Sequence, residues 1–236
     1  MEVQIGVAKI NKYASSESGD TLEVVERPEG GLSVVLADGQ RSGKSAKRIS
    51  NMVVRKVISL LAEGVRDGAA ARAASDYLYS ERGGKVQSTL NILSVDMHSR
   101  TLVISRNNET PAIVVCNGEM RVLDEESVSV GIYRNTRPVI TEVMLEESLV
   151  AVVFSDGLKH AGDRKGRHLN IPECVQTILG DNPSAQVFAD RLMELALTAD
   201  EGRPIDDVSI VVLRVMPDNG DEIRRMQVRL PITRYV

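Results

Sequence analysis

The sequence has no tryptophan, and aromatic residues make up only 3% of its 236 positions. A core must therefore be built from Val, Ile, Leu and Ala. Only two cysteines occur, Cys116 and Cys174. They read as small buried hydrophobes rather than as a disulfide or a thiol nucleophile. No apolar run approaches the roughly 18 residues of a membrane span, and the start of the chain lacks a secretory pattern. A cytoplasmic protein without a membrane partner is expected. Basic residues are outnumbered, 29 against 33 acidic ones, leaving a net charge of −4. That balance argues against nucleic acid as a partner. It leaves room for a phosphorylated substrate, because bound cations reverse the local sign. The histidines His98, His160 and His168 show no ligand spacing with the cysteines, which speaks against zinc in a nitrogen and sulfur shell.

What is present is an ordinary globular composition, 42% hydrophobic and 26% charged. Residues 2–10 read as a strand, and 21–26 with 32–37 as a hairpin around Pro28-Glu29-Gly30-Gly31. Apolar residues at Ala46, Ile49, Val53, Val57 and Leu60 predict an amphipathic helix over 43–61. A second, Ala-rich helix runs from about Asp67 to Tyr79 and is ended by Gly83-Gly84. Strands are expected at 87–97, 101–106, 111–116 and 119–123, and a further pair at 138–145 and 149–155, turning at Glu146-Glu147-Ser148. Helices over 172–180 and 184–199 precede a last core strand at 207–215. Short turns require antiparallel neighbours, so the expected architecture is α+β, with antiparallel sheets packed together and helices outside. Ile223–Leu230, beyond Pro217, reads as an appended edge strand.

Three runs are almost wholly apolar, Leu32–Ala37, Leu149–Phe154 and Val208–Val215. Such runs are expected of strands buried on both faces. Each has an acid at one end: Asp38 and Asp156 at two exits, Asp206-Asp207 at one entrance. A hairpin centred on Glu29 also sets Asp20 opposite Asp38. Carboxylates gathered on one rim repel unless a cation lies between them, and Mg²⁺ or Mn²⁺ suits an all-oxygen donor set. Asp-Gly is also a common turn dipeptide. Asp67-Gly68, with no buried strand before it, serves as the internal contrast and reads as a plain loop.

Gly39-Gln40-Arg41-Ser42-Gly43-Lys44-Ser45 approaches a phosphate-cradling P-loop, which makes an NTPase a rival reading. The motif needs four residues between its glycines and this turn has three. A P-loop also sits in a parallel unit, whereas these strands read as antiparallel.

Ser18-Gly19-Asp20, Val35-Leu36-Ala37-Asp38-Gly39, Val153-Phe154-Ser155-Asp156-Gly157 and Asp206-Asp207-Val208-Ser209-Ile210-Val211-Val212 stand in a telling order. Together they resemble the metal-dependent PPM protein phosphatases, in particular the compact bacterial branch typified by SpoIIE and RsbX. Ser88-Thr89-Leu90 and the Asn107–Pro111 turn are also similar to that branch, and the likeness spans about residues 3 to 216. It implies a catalytic domain over 1–216, with 217–236 as a C-terminal extension. The implied fold is a four-layer α-β-β-α sandwich, two antiparallel sheets flanked by helix pairs, with two Mn²⁺ or Mg²⁺ ions at one end. By the resemblance, Asp38 bridges both ions, the Gly39 carbonyl binds one, Asp156 and Asp206 hold the other, and Asp20 acts through water. The implied chemistry is in-line attack by a metal-activated water, with Asp38 and Asp156 as the central catalytic residues.

This sequence departs from many relatives in the turn after Asp38-Gly39, which carries Gln40 and Arg41 and no histidine. Arg41 and Lys44 are candidates for substrate phosphate, with solvated loop residues as the alternative. Asp207 is expected either to join the ligands or to orient its neighbour. His160 reads as an exposed loop residue. The resemblance implies dephosphorylation of serine or threonine in a small bacterial regulatory protein of the anti-sigma antagonist or stressosome type, in bacterial signalling and stress response. Regulation would then come from partners or expression. A non-catalytic, phosphoprotein-binding pseudophosphatase is the alternative from another class.

Overall fold

The structure, a computed structural model, describes residues 1–218 and 220–231. The strands are β1 (Glu2–Ile10), β2 (Asp20–Glu26), β3 (Leu32–Asp38), β4 (Leu90–Asp96), β5 (Thr101–Asn107), β6 (Ala112–Cys116), β7 (Glu119–Leu123), β8 (Val139–Met144), β9 (Val150–Phe154) and β10 (Val208–Met216). The helices are α1 (Gly43–Ala62), α2 (Asp67–Arg82), α3 (Asp156–Lys159), α4 (Ile171–Leu179) and α5 (Ala185–Ala199).

Local chemistry sets the helix ends. Ser184 caps α5 by accepting from the Val187 N–H, and Asn170 caps α4 by accepting from Glu173 N–H. Gly83 ends α2 at φ 60°, a left-handed conformation that costs glycine little. Along α1, Ala46, Ile49, Val53 and Val57 are buried as the helical spacing predicts, while Leu61 rather than the half-buried Leu60 completes the stripe.

The strands form two five-stranded sheets, in the orders β1-β10-β9-β6-β7 and β2-β3-β4-β5-β8. Every ladder is antiparallel. Three apolar layers hold them. Val34, Leu36, Leu93, Ala151, Val153, Val211 and Leu213 fill the space between the sheets. Phe154, Val212, Phe188 and Leu192 pack the first sheet on α4 and α5. Val35, Ile92, Val53 and Leu78 pack the second on α1 and α2. This is the four-layer α-β-β-α sandwich. The apolar runs of β3, β9 and β10 are buried on both faces because each sheet is covered on both sides.

Three expectations are corrected. β8 and β9 are not a hairpin: β8 pairs with β5 in one sheet and β9 with β10 and β6 in the other. Glu146-Glu147-Ser148 therefore carries the chain between sheets, with Ser148 at φ 73°. The burial patterns give the reason, since β8 alternates as an edge strand and β9 is buried throughout. Ile223–Leu230 forms no strand among the described residues. Its apolar side chains stay exposed, Val228 at 91%, because no ladder or apolar face receives them. Residue 219 and residues 232–236 of that extension lie outside the described residues. Cys116 and Cys174 are unpaired and half-buried rather than fully buried, packing at the margins of two of the cores.

The open edge of β1 is closed by α5. The Gln186 amide donates to the Val7 carbonyl (2.9 Å) and accepts from the Val7 N–H (3.1 Å), which satisfies an edge strand without a further strand. Gly6 permits this approach, because a Cβ there would collide with the Ala185 carbonyl oxygen. Gly6→Ala is expected to destabilise the protein by about 1–3 kcal/mol, read as a lower urea midpoint at unchanged slope. An unchanged midpoint would contradict the tight seat of α5 on β1.

Candidate metal centre

The two sheets meet at one end of the sandwich in a rim of aspartates. In the second sheet, Asp20 opens β2 and pairs with Asp38 at the end of β3, so the hairpin is symmetric about Glu29. In the first sheet, Asp156 follows β9 by way of Ser155, and Asp206 lies two residues before β10, the partner of β9. Asp38 feels Asp20, Asp156 and Asp206 as repelling charges, which joins the contributions of both sheets in one site.

The electrostatics of this rim are severe. Burial, then the neighbouring aspartates, push the Asp38 carboxyl up to about 9. Burial raises Asp20 to about 6, with Asp207 adding to the rise and Lys9 opposing it. Asp156 is raised by burial and by Asp206, and His160 opposes that shift. Asp20 is fully buried, and neither of its carboxylate oxygens has a hydrogen-bond partner, although Ser209 and Ser155 stand near enough to ease its charge. Unpaired buried carboxylate oxygens are costly unless a cation completes them.

A divalent ion fits these residues. The donors are all oxygen, the chemistry of Mg²⁺ and Mn²⁺. Among the described residues, no three His, Cys, Asp or Glu side chains form a ready-made cage. The fit therefore rests on the unsatisfied oxygens of Asp20 and on the mutual repulsion around Asp38.

Glycines and serines hold the rim in shape. A side chain on Gly39 would strike the Ala46 carbonyl, and one on Gly157 would strike the Asp207 carbonyl. Both glycines thus serve close backbone approach, without a positive φ. The Asp38 carbonyl accepts from Ser88 Oγ (2.6 Å) and Thr89 N–H (2.9 Å), and the Asp38 N–H donates to Thr89 Oγ1 (3.2 Å). Ser88 in turn exchanges backbone bonds with Val130. The Asn107 amide steadies that loop by donating to the Val128 and Arg137 carbonyls. The Ser88-Thr89 and Asn107–Pro111 segments are therefore supports of the rim.

Asp207 has a different task from Asp206. Its oxygens accept from Lys12 N–H (2.9 Å) and Gly19 N–H (2.7 Å), which pins the β1–β2 connection beneath the rim. Asp206 accepts from the Asp207 N–H (3.0 Å). Arg41, on the turn that leads into α1, and Lys44, in the first turn of α1, are exposed and among the described residues make no hydrogen bond or ion pair with the rim. That turn leaves an antiparallel strand, so no P-loop unit exists and the NTPase reading falls. His160 is exposed and shares Asp163 with His168, at 2.9 and 2.7 Å.

Two lysines escaped the sequence reading. Lys9 and Lys47 both donate to the Asp20 carbonyl at 2.6 Å. Burial, then Lys47, lowers Lys9 to about 8. Nothing local marks them; Lys9 is legible only through its place on a half-buried strand aimed at the Asp20 end. Asp67 is also corrected. It opens α2, is buried, and is raised by that burial. Ser94 donates to it, and Arg27 stands 3.7 Å away. Its environment is a packed helix start rather than a plain loop.

Known proteins share the family and the fold of this chain. The family model of stage II sporulation protein E (SpoIIE) matches residues 28–216. The stage II sporulation protein E of Bacillus subtilis (strain 168) is 21% identical over 214 residues, which cover 90% of this chain and 26% of that protein. The chain thus spans about a quarter of that relative's length. The phosphatase domain of Bacillus subtilis SpoIIE with a fragment of its regulatory domain superposes with a TM-score of 0.78 at 20% identity, over 91% of this chain and 63% of that one. The PstP catalytic domain in complex with two manganese ions gives 0.69 at 16% identity, over 91% and 99%. RsbX in complex with magnesium gives 0.68 at 16% identity, over 90% and 95%.

The raised carboxyls set a pH dependence for the metal-free protein. The folded state holds these protons more tightly than the unfolded chain, whose carboxyls titrate near 3.8. Their stabilisation is full below that value and is lost as pH rises through about 6 for Asp20 and about 9 for Asp38. Without metal, the melting temperature is expected to fall across this window, and added Mn²⁺ should restore progressively more of it. Asp38→Asn should raise the metal-free stability near pH 8 by about 1–3 kcal/mol and blunt the Mn²⁺ effect. A melting temperature flat with pH, and equal in the variant, would contradict the repulsion described.

Proposed function

Because the chain belongs to the SpoIIE family, whose match spans most of its length, we propose that it is a metal-dependent protein serine/threonine phosphatase of the PPM type. The observation that carries this reading is the convergence of Asp20, Asp38, Asp156 and Asp206 from both sheets on one rim that resists holding its own charge. Asp38, which feels the carboxylates of both sheets, would help to hold two Mn²⁺ or Mg²⁺ ions, together with the Gly39 carbonyl. Asp156 and Asp206 would hold the second ion, and Asp20 would act through water. Bound there, the ions would supply the positive charge that makes an attacking water acidic and neutralises phosphoryl oxygens.

The chain's own residues do the positioning. Ser88 and Thr89 fix the Asp38 backbone, and with it the direction of the Gly39 carbonyl. Lys9 and Lys47 bring positive charge to the Asp20 end. Asp207 ties Gly19 and Lys12 into place without entering the ligand set. Arg41, exposed on the turn after Gly39, and Lys44, exposed in the first turn of α1, are candidates to meet substrate phosphate. The proposed substrate is a small phosphorylated regulatory protein of the anti-sigma antagonist or stressosome type, by analogy with the family. Among the described residues, no helix is long and apolar enough to cross a membrane.

The test is Mn²⁺- or Mg²⁺-dependent release of phosphate from p-nitrophenyl phosphate and from a phosphoserine protein, stopped by a chelator. Asp38→Ala should lower turnover by at least about a hundredfold. Phosphoprotein binding without turnover in metal-loaded, folded protein would instead identify a binding module. Ser88→Ala should leave the fold intact and raise the Mn²⁺ concentration needed for half-maximal activity by about 10–100-fold. An unchanged metal requirement would remove Ser88 from the support of the rim.

A further inference from the structure

Two clefts flank the aspartate rim, and they carry opposite charge. Beyond Ser88 and Gln87 lies one of about 610 Å³, lined by Glu109, Asp124, Glu125 and Glu126 together with Tyr133. It joins the rim through Gln87, which is hydrogen-bonded to Gln40. On the Asp206 side lies another of about 550 Å³, with Lys12, Arg164, Lys165 and Arg203 in its walls beside Tyr13 and Ile205. In a chain of net charge −4, this concentration of cations is local, and the cleft wall reaches Ile205, the residue before Asp206.

The acids of the basic cleft are already committed. Asp200 is buried and accepts from the Gly162 N–H (2.8 Å) and the Ile205 N–H (3.3 Å). Glu201 is paired with Lys165 (2.7 Å) and Arg167 (3.5 Å). Lys12, Arg164 and Arg203 have no carboxylate within 4 Å among the described residues, although Arg203 adds to the positive charge that Glu201 feels. The Arg203 guanidinium instead lies over the exposed Tyr13 ring, 5.3 Å from its centroid. The wall is fixed relative to the rim. Tyr13 N–H donates to the Pro204 carbonyl (2.9 Å) and Lys12 N–H to Asp207 (2.9 Å), the neighbour of Asp206.

We infer that this cleft is a substrate subsite that receives an acidic stretch adjoining the phosphorylated residue of the protein substrate. The inference rests on the phosphatase reading for what occupies the rim. Guanidinium and ammonium groups around a cleft recognise carboxylates, and the cleft lined by Glu109, Asp124, Glu125 and Glu126 turns such a segment away. The substrate would therefore lie across the rim with its acidic side toward Arg164 and Arg203. Arg164 is exposed on a three-residue turn, Asp163–Lys165, so its replacement does not touch the core.

The test uses the full chain loaded with Mn²⁺ and two short phosphoserine peptides that differ only in flanking Asp/Glu against Asn/Gln. The acidic peptide should be preferred roughly three- to tenfold in kcat/KM at low salt, mainly through KM. The preference should shrink with added salt. R164Q and the double variant R164Q/R203Q should reduce the ratio between peptides, with rates normalised to each variant's own p-nitrophenyl phosphate turnover. Arg203→Lys keeps the charge without the planar fork and should retain part of the preference. Equal rates on the two peptides, or a ratio that these variants leave unmoved, would overturn the subsite. Fluorescence anisotropy with the unphosphorylated acidic peptide separates the two readings. If no substrate is turned over, the phosphatase reading fails. Weaker peptide binding by R164Q/R203Q would still support an acidic-segment site, and equal binding would overturn it.

Discussion

Mutual repulsion among carboxylates that cannot move apart is the constraint on which the site depends. Asp20 and Asp38 face each other across a hairpin ladder, and Asp156 and Asp206 stand at the ends of two other paired strands. None of these backbones can retreat without breaking a sheet. Water cannot screen the repulsion well, since Asp20 is fully buried and burial is the leading cause of the shifts at Asp38 and Asp156. The energy that keeps them together comes from elsewhere, from apolar layers between the sheets and beneath both helix pairs. A site of this kind stores affinity for a cation in the protein's own packing.

The same packing explains the small residues around it. Gly39 lies against the Ala46 carbonyl and Gly157 against that of Asp207, so α1 and the start of β10 are drawn onto the rim as closely as backbone allows. The Ser88 hydroxyl gives the Asp38 carbonyl a second donor beside the Thr89 N–H, and Val130 holds Ser88. Precision at Asp38 thus depends on a loop more than ninety residues further along the chain.

Much of this was legible in the sequence because it follows from periodicity. The register of the β2–β3 hairpin came from where its turn residues lie, and double burial of β3, β9 and β10 from uninterrupted apolar runs. What escaped was set by long-range partners. A turn such as Glu146-Glu147-Ser148 looks alike whether it closes a hairpin or links two sheets; the edge-type alternation of β8 against the unbroken β9 is the discriminating signal. Asp67 seemed a plain loop because its burial comes from Ser94 and Arg27 on other elements. Lys9 and Lys47 reach a carbonyl, a target with no signature in residue type. The alternating Ile223–Leu230 segment carries the pattern of a strand but joins no ladder, since pattern states only a preference.

The doubled aspartate stands just before β10, with Asp206 in a bend, and its two side chains take different partners. Here Asp206 stands among the rim carboxylates that repel Asp38, while Asp207 turns to the Lys12 and Gly19 amides. The second acid fixes the segment that leads into Asp20 on one side and forms the wall of the basic cleft on the other. One residue thereby sets the distance between the reacting centre and the cations beside it. A shift in the β1–β2 connection would move Asp20 and Lys12 together, so metal site and cleft cannot be repositioned independently.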